Sequence, residues 1–301
     1  MPFKIFNAPI EILNDELFYR KNITVGVVRL DKIHPIVSGN KLFKLHYFLQ
    51  DALISTHKTI ITFGGAYSNH LVATAFTCQE NGIKCIGIVR GEIPAQLSPT
   101  LKQCLDYNMQ LKFISRDLYN FKEEDYFINE IKAKYGECII IPEGGYHHLG
   151  AKGASLITQS IKGNDCTHIC TATGTATTVA GLLLNTCNQK IISVPVLKGI
   201  DDIEKRIIFL SAGAFNKEKL EIFNNYHFGG YAKKTVELIN FMNYLWQQHQ
   251  LPTDFVYTAK LFFAIFDKIK SDYFPKGSNI LCLHTGGLQG NNSLPSGTLL
   301  F

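Results

Sequence analysis

Charge-dense stretches are missing from this 301-residue chain: Asp, Glu, Lys and Arg make up 18% of it, and the excess of Lys and Arg over Asp and Glu, 30 to 25, is scattered. No basic block with interleaved aromatics occurs, so no nucleic-acid partner is expected. There is no long lipid-compatible run either. The longest uncharged stretch, ICTATGTATTVAGLLLNTCNQ from Ile169 to Gln189, is too rich in Thr and Gly for hydrocarbon, and no membrane partner is expected. The N-terminal MPFKIFNAPIEILNDELFYRKN meets acidic residues before any apolar run long enough for a signal-peptide core, which suggests a cytoplasmic protein. Eight cysteines include no CxxC pair. Cys78, Cys85, Cys104, Cys138, Cys187 and Cys282 sit in apolar contexts and read as small buried hydrophobes. A period of two in Cys166-Thr-His168-Ile-Cys170 would put three ligand-like side chains on one face of a strand, but without a CxxC partner no metal is expected.

A hydrophobic fraction of 46% leaves room for one large or two medium domains, and excludes a disordered, collagen-like or coiled-coil chain. Short Ile- and Val-rich runs at 58–63, 84–89, 110–114, 138–141, 167–171, 190–197 and 279–283 read as buried strands. Between them, 42–53, 68–80, 122–134, 234–249 and 257–271 repeat apolar residues at three and four. Such alternation predicts an α/β fold with parallel sheets, two of them being plausible. No repeat, low-complexity segment or Gly/Ser linker marks a boundary.

Four turns carry unusual chemistry. Thr62-Phe-Gly-Gly-Ala-Tyr-Ser68-Asn69-His70 turns on paired glycines into a helix start that could bind a carboxylate or phosphate; an ordinary turn capped by Ser68 would need no ligand. Thr171-Ala-Thr-Gly174-Thr175-Ala176-Thr177-Thr178-Val-Ala-Gly181 places amides and hydroxyls before a helix over 180–185. It suits a single phosphate, although a packed Thr-rich turn also fits. Leu283-His-Thr285-Gly-Gly287 ends the last strand with a hydroxyl and two glycines, or is a plain strand exit before a loose tail. In Val37-Ser-Gly-Asn-Lys41, the lysine sits in the first turn of a helix, where the dipole disfavours its charged form and favours a nucleophilic amine. A solvated lysine with its stem along the helix is the simpler alternative. Together, one reactive lysine, one phosphate cradle and two polar Gly turns are the parts that pyridoxal phosphate needs.

SGNKLFKL, TFGGAYSNH, GTATTVAGL, HFGGYAKK (227–234), DFVYTAK (254–260) and LHTGG occur in the order seen in the 1-aminocyclopropane-1-carboxylate deaminase and D-cysteine desulfhydrase family. Ile141-Pro-Glu-Gly-Gly145 and Gly150-Ala-Lys-Gly153 also resemble that family, and the match runs from about Gly26 to Gly290. The resemblance implies a tryptophan-synthase-β-like (fold type II) pyridoxal 5'-phosphate enzyme: two parallel-rich sheets flanked by helices, with the cofactor between a large domain (1–44 and 151–301) and a small inserted α/β domain (45–150). It implies a homodimer and a small amino-acid substrate.

By the same resemblance, Lys41 carries the cofactor as an imine and Asn69 bonds the ring's phenolic oxygen. Ser68, with Asn69, His70 and nearby amides, holds the substrate carboxylate. Gly174, Thr175, Ala176, Thr177 and Thr178 hold the phosphate, and Tyr231 and Tyr257 face the substrate. Thr258 partners the pyridine nitrogen, with Thr285 nearby. Two departures stand out: relatives carry more glycine in the phosphate loop, so its backbone geometry is expected to differ, and Tyr67 is expected to narrow the substrate pocket. Cyclopropane deaminases carry glutamate at the Thr258 position and glutamine at the His70 position. A neutral hydroxyl is expected to leave the nitrogen largely unprotonated, a weaker electron sink suited to β-elimination of a good leaving group after α-proton loss. The expected reaction is therefore D-cysteine desulfhydrase-like, giving a 2-oxo acid and ammonia. Cyclopropane ring opening, a non-catalytic pyridoxal phosphate protein and a nucleotide-binding α/β protein are the alternatives.

Overall fold

The computed structural model describes residues 7–55 and 58–301; residues 1–6 of the N-terminal segment and of the expected large domain, and 56–57 of the expected small one, lie outside them. Among the described residues there are ten strands: β1 Ile10–Ile12, β2 Thr24–Val28, β3 Thr59–Gly64, β4 Lys84–Arg90, β5 Gln110–Ile114, β6 Ile139–Ile141, β7 His168–Thr173, β8 Lys190–Pro195, β9 Leu220–Ile222 and β10 Asn279–Leu283. The helices are α1 Glu16–Lys21, α2 Asn40–Ile54, α3 Asn69–Glu80, α4 Pro99–Asp106, α5 Arg116–Tyr119, α6 Asp125–Tyr135, α7 His148–Ser155, α8 Ile157–Ser160, α9 Thr177–Leu184, α10 Ile203–Ser211, α11 Val236–His249 and α12 Thr258–Lys270.

The strands form two sheets. One has the order β1-β2-β10-β7-β8-β9, parallel except for β1, and the other, β5-β4-β3-β6, is parallel throughout. Central strands such as β4 and β7 are apolar on both faces because helices cover both faces. Two strands of the large sheet, β7 and β10, send alternate residues into two separate cores: Ile169, Leu281 and Leu283 into one, Cys170, Ala172, Ile280 and Cys282 into the other. The first of these cores runs on through α2, α7 and α9 to Ile60 and Val89 of the second sheet, so one continuous apolar layer joins the two sheets. In that layer α2 and α7 touch backbone to backbone: a methyl group on Gly153 would lie 2.1 Å from the Phe43 carbonyl oxygen.

All seven expected strands are present, with no end displaced by more than two residues. The arrangement Cys166-Thr-His168-Ile-Cys170 is corrected. β7 begins only at His168, and Cys166, ahead of it, packs into the opposite core from Cys170. His168 lies edge-on to Phe274. The C-terminus is tied down: Asn243 donates to the Thr298 carbonyl and accepts from the Leu300 N–H. Among the described residues, no helix is long and apolar enough to cross a membrane.

Candidate active site

α2 opens at Gly39, whose φ of +72° and ψ of −146° no L side chain adopts comfortably. The conformation lets the backbone come against the exit of β10; a methyl group there would lie 1.9 Å from the Thr285 carbonyl oxygen. This contact joins the lysine turn to the last-strand turn. Asn40, next along, is buried and donates from Nδ2 to Thr178 Oγ1 at 2.8 Å, which joins it to the Gly174–Thr178 loop. Lys41 follows, its Nζ lying 5.8 Å from the centre of the Tyr257 ring. Tyr257 packs edge-on to Tyr231, 6.2 Å between ring centres, and Gly174 sits beside the Tyr257 ring.

The loop from Gly174 to Thr178 feeds α9 without a side-chain cap, so the first amides of that helix are presented to whatever lies before it. Hydroxyls add to them: Thr175 Oγ1 and Thr177 Oγ1 are 2.9 Å apart. Ala176 takes φ +64°, ψ −1°, the left-handed conformation a glycine would take, at a strain of about 1–2 kcal/mol.

At the head of α3, Ser68 is the N-cap, its Oγ accepting from the Leu71 N–H at 3.3 Å. The hydroxyl proton remains for another acceptor. Asn69 lies against Gly287, near Asp254, and its amide oxygen is buried without a partner. His70 is buried and turned to Thr62. Because Thr62 spends its proton on the Ile141 carbonyl at 2.8 Å, His70 Nε2 must donate to Thr62, at 2.9 Å, which leaves Nδ1 bare and unpartnered. Thr258 and Thr285 are both buried, Thr258 at the start of α12. Tyr231 rides on a loop in which Phe228, Gly229, Gly230 and Ala232 all have positive φ. Lys260 anchors that loop from α12, donating to the carbonyls of His227 and Gly230, each at 2.8 Å.

Electrostatics single out a lysine that the motifs did not assign. Lys44, one turn after Lys41, is buried, with Nζ donating to the Gly144 carbonyl at 3.2 Å. Burial, then the charge of Lys41, pulls its pKa down to about 7. Lys41 itself is brought down to about 8 by desolvation, against the opposing pull of Asp254. Loss of water around the amine thus favours its neutral form. His70 is pushed to about 3 by burial, then by Lys44 and Lys41, so it stays neutral near pH 7. Burial raises the Tyr257 hydroxyl well above the usual range. Lys44 and Glu143-Gly144 could have been found from the sequence: a lysine at i+3 of Lys41 shares its helix face.

The structure therefore brings together Lys41, Asn69, Thr178, Tyr231, Tyr257, Thr285 and the Gly174 loop. Two lysines, an uncapped helix start and a bare amide oxygen fit a small phosphate-bearing aldehyde, which would find an anion cradle, an amine and a polar partner in one place. Around them stands the two-sheet frame of the tryptophan-synthase-β-like, fold type II class.

Comparison with known proteins agrees. Residues 19–286 match the family described as pyridoxal-phosphate dependent enzymes, and the chain belongs to that family. It is 28% identical to a Pyrococcus abyssi protein named "Putative 1-aminocyclopropane-1-carboxylate deaminase", over 95% of this chain and 90% of that one. It is equally 28% identical to a D-cysteine desulfhydrase of Klebsiella pneumoniae, over 86% of each chain. A crystal structure titled as an ACC deaminase homologue superposes with a TM-score of 0.80 at 25% identity, covering 95% of this chain and 91% of that one. The protein is a pyridoxal-phosphate dependent enzyme of this deaminase and desulfhydrase group.

Proposed function

We propose that the protein is a lyase that expels a β-substituent from a small amino acid of the D-cysteine type, releasing a 2-oxo acid and ammonia. The observation that carries this reading is the place of Lys41, its Nζ 5.8 Å from the centre of the Tyr257 ring, where burial lowers the pKa of its amine and favours a free base. β-Elimination needs such a base for the α-proton, whereas a cyclopropane substrate has no α-proton to give. When bound, pyridoxal phosphate supplies an imine to the substrate amine and an electron sink beyond it. The remaining work falls to this chain. In the proposed arrangement, Lys41 joins the cofactor and, once displaced by substrate, takes the α-proton. Ser68, Asn69 and the α3 amides receive the carboxylate, with neutral His70 lining the site, while the loop from Gly174 to Thr178 and Lys44 receive the phosphate. Tyr231 and Tyr257 stand ready as proton donors, and Thr258, with Thr285 nearby, partners the pyridine nitrogen. Residues 45–150 would act as a small domain inserted between 1–44 and 151–301, with the cofactor between. Exposed Tyr67, beside Ser68, would narrow the entrance.

Ring opening of 1-aminocyclopropane-1-carboxylate is the second reading, favoured by the name of the Pyrococcus abyssi relative. The test begins with colour: the purified protein should be yellow, borohydride should bleach it, and peptide mapping should place the reduced adduct on Lys41, not Lys44, and find none in Lys41→Ala. An amino-acid panel read by pyruvate, 2-oxobutanoate and ammonia then separates the reactions. Efficient 2-oxobutanoate release from the cyclopropane substrate, with none of the pyruvate expected from D-cysteine, would overturn the β-elimination reading.

A further inference from the structure

Thr258 is wholly buried, and its hydroxyl has no choice of partners. Thr258 Oγ1 donates to Asp254 Oδ2 at 2.6 Å and accepts from the Asp254 backbone N–H at 2.8 Å. The Asp254 carboxyl, also wholly buried, is equally committed. Its Oδ1 accepts from the N–H groups of Val256 and Tyr257, at 3.0 and 2.7 Å, and its Oδ2 accepts from the Thr258 N–H at 3.0 Å. Three backbone N–H groups aimed at two oxygens are the surroundings that favour an ionised carboxylate. An ionised carboxylate can only accept, which settles the direction of the 2.6 Å bond. The single proton of Thr258 is spent on Asp254, and one lone pair of its oxygen is spent on the Asp254 N–H. What remains free is one lone pair, able to accept and unable to donate.

We propose that Asp254 acts through Thr258 as a positioning residue, so that the cofactor's pyridine nitrogen is held in its protonated form. The inference rests on the reading above that Thr258 is the partner of that nitrogen. A threonine with a free proton would donate to a bare pyridine nitrogen; one whose proton is committed can bond only to a nitrogen that carries its own. On this proposal the sink is stronger than a neutral hydroxyl would give, because Thr258 relays the negative charge of a buried carboxylate. Lys41 and Lys260 are the cations whose titration feels the Asp254 charge, and both are brought to about 8, chiefly by desolvation. The same charge faces the Tyr257 and Tyr231 hydroxyls. A strong sink remains compatible with β-elimination and also admits substrates that expel poorer leaving groups.

The test is nitrogen-15 NMR of the holoenzyme loaded with ring-labelled pyridoxal phosphate, at a pH where the free cofactor's ring nitrogen has lost its proton. The wild type should show the resonance at the pyridinium position. Thr258→Ser should keep it there, whereas Thr258→Val and Asp254→Asn should move it to the unprotonated position. An unprotonated nitrogen in the wild type overturns the proposal; so does a pyridinium that survives in Thr258→Val, which would hand the contact to Thr285. Should Asp254→Asn fail to fold, the wild-type resonance together with the Ser and Val pair still decides, because a threonine not oriented by Asp254 would offer its own proton and leave the nitrogen bare. Failure of the underlying reading is seen separately and earlier, as a protein with no yellow, borohydride-reducible species on Lys41.

Discussion

Replacing Gly39 with alanine tests the contact on which the geometry of the lysine turn depends. Two costs add. The pair φ +72°, ψ −146° lies where only glycine rests easily, and an alanine held there stores about 1–3 kcal/mol. The new methyl would also begin 1.9 Å from the Thr285 carbonyl oxygen and 2.2 Å from its carbon. Two backbone segments must part by roughly 1 Å, at a further cost of about 1–3 kcal/mol. The sum is about 2–6 kcal/mol. At about 2.1 cal/mol/K of unfolding entropy per residue, 301 residues lose about 1.6 °C per kcal/mol, a fall of roughly 3–10 °C in melting temperature. Gly82→Ala is the control. Gly82 has φ +62° with nothing within 4 Å of the added carbon, so it should cost about 1–2 kcal/mol from backbone strain alone. Calorimetry on the cofactor-free proteins measures both. Visible absorbance of the loaded proteins reads the displacement passed to Lys41, two residues on, and should fall only in Gly39→Ala. Equal melting temperatures for the two variants would refute the close approach of the lysine turn to Thr285.

Thr178→Asp sets a carboxylate against the phosphate and replaces the hydroxyl that accepts from Asn40 Nδ2; equilibrium dialysis should show cofactor affinity lowered roughly tenfold or more, about 1.4 kcal/mol, and unchanged affinity would remove 174–178 as the phosphate loop. Ala176→Gly relieves about 1–2 kcal/mol of left-handed strain against about 0.5–1 kcal/mol of added chain entropy, so urea unfolding should show no loss of stability, whereas Ala180→Gly inside α9 should cost about 1 kcal/mol or more. Lys44, at about 7, and Lys41, at about 8, both lie below an unfolded lysine near 10.4, so the unfolded chain binds more protons between those values and the cofactor-free protein should grow more stable as pH rises from about 7 to 10. Lys44→Met should flatten that rise; an unchanged slope would mean its amine is solvated.

What the residue pattern disclosed of the fold, and what it hid, divides on locality. Strands buried on both faces announce themselves as unbroken apolar runs, and β3, β4, β7, β8 and β10 were legible for that reason. β2, Thr-Val-Gly-Val-Val, escaped because a glycine interrupts it, and Gly26 is there for a reason no local pattern contains: any side chain would run into Leu281 of the neighbouring strand, 2.7 Å away. β1 and β9 have three residues each, only partly buried at the sheet edges, and exist by pairing with β2 and β8. Their register is a property of the assembled sheet. α7, although it carries the quoted Gly150-Ala-Lys-Gly153, buries a face of Gly and Ala with no large apolar side chain, because that face meets backbone.

The candidate site shows the same division at finer grain. Its turns could be read because glycines and hydroxyls at strand ends carry their own chemistry, and the order of the motifs joined them before any distance was measured. The state of each group could not be read that way. Lys41 is brought toward neutrality by loss of water, which depends on what the fold packs around it, and His70 owes its bare Nδ1 to a proton that Thr62 has given to Ile141. Thr258 is the sharpest case. A threonine in place of a glutamate looks like the loss of a charge at the ring nitrogen, yet Asp254, four residues earlier within the quoted Asp-Phe-Val-Tyr-Thr-Ala-Lys, returns that charge through one hydrogen bond. Four residues is the spacing from a helix-capping side chain into the first turn, so the pair was visible; what was not visible is which oxygen holds the proton. The electronic character of the site follows from the orientation of that O–H bond, and so Thr258→Glu, which restores a carboxylate at this position, should leave the ring nitrogen protonated as it already is.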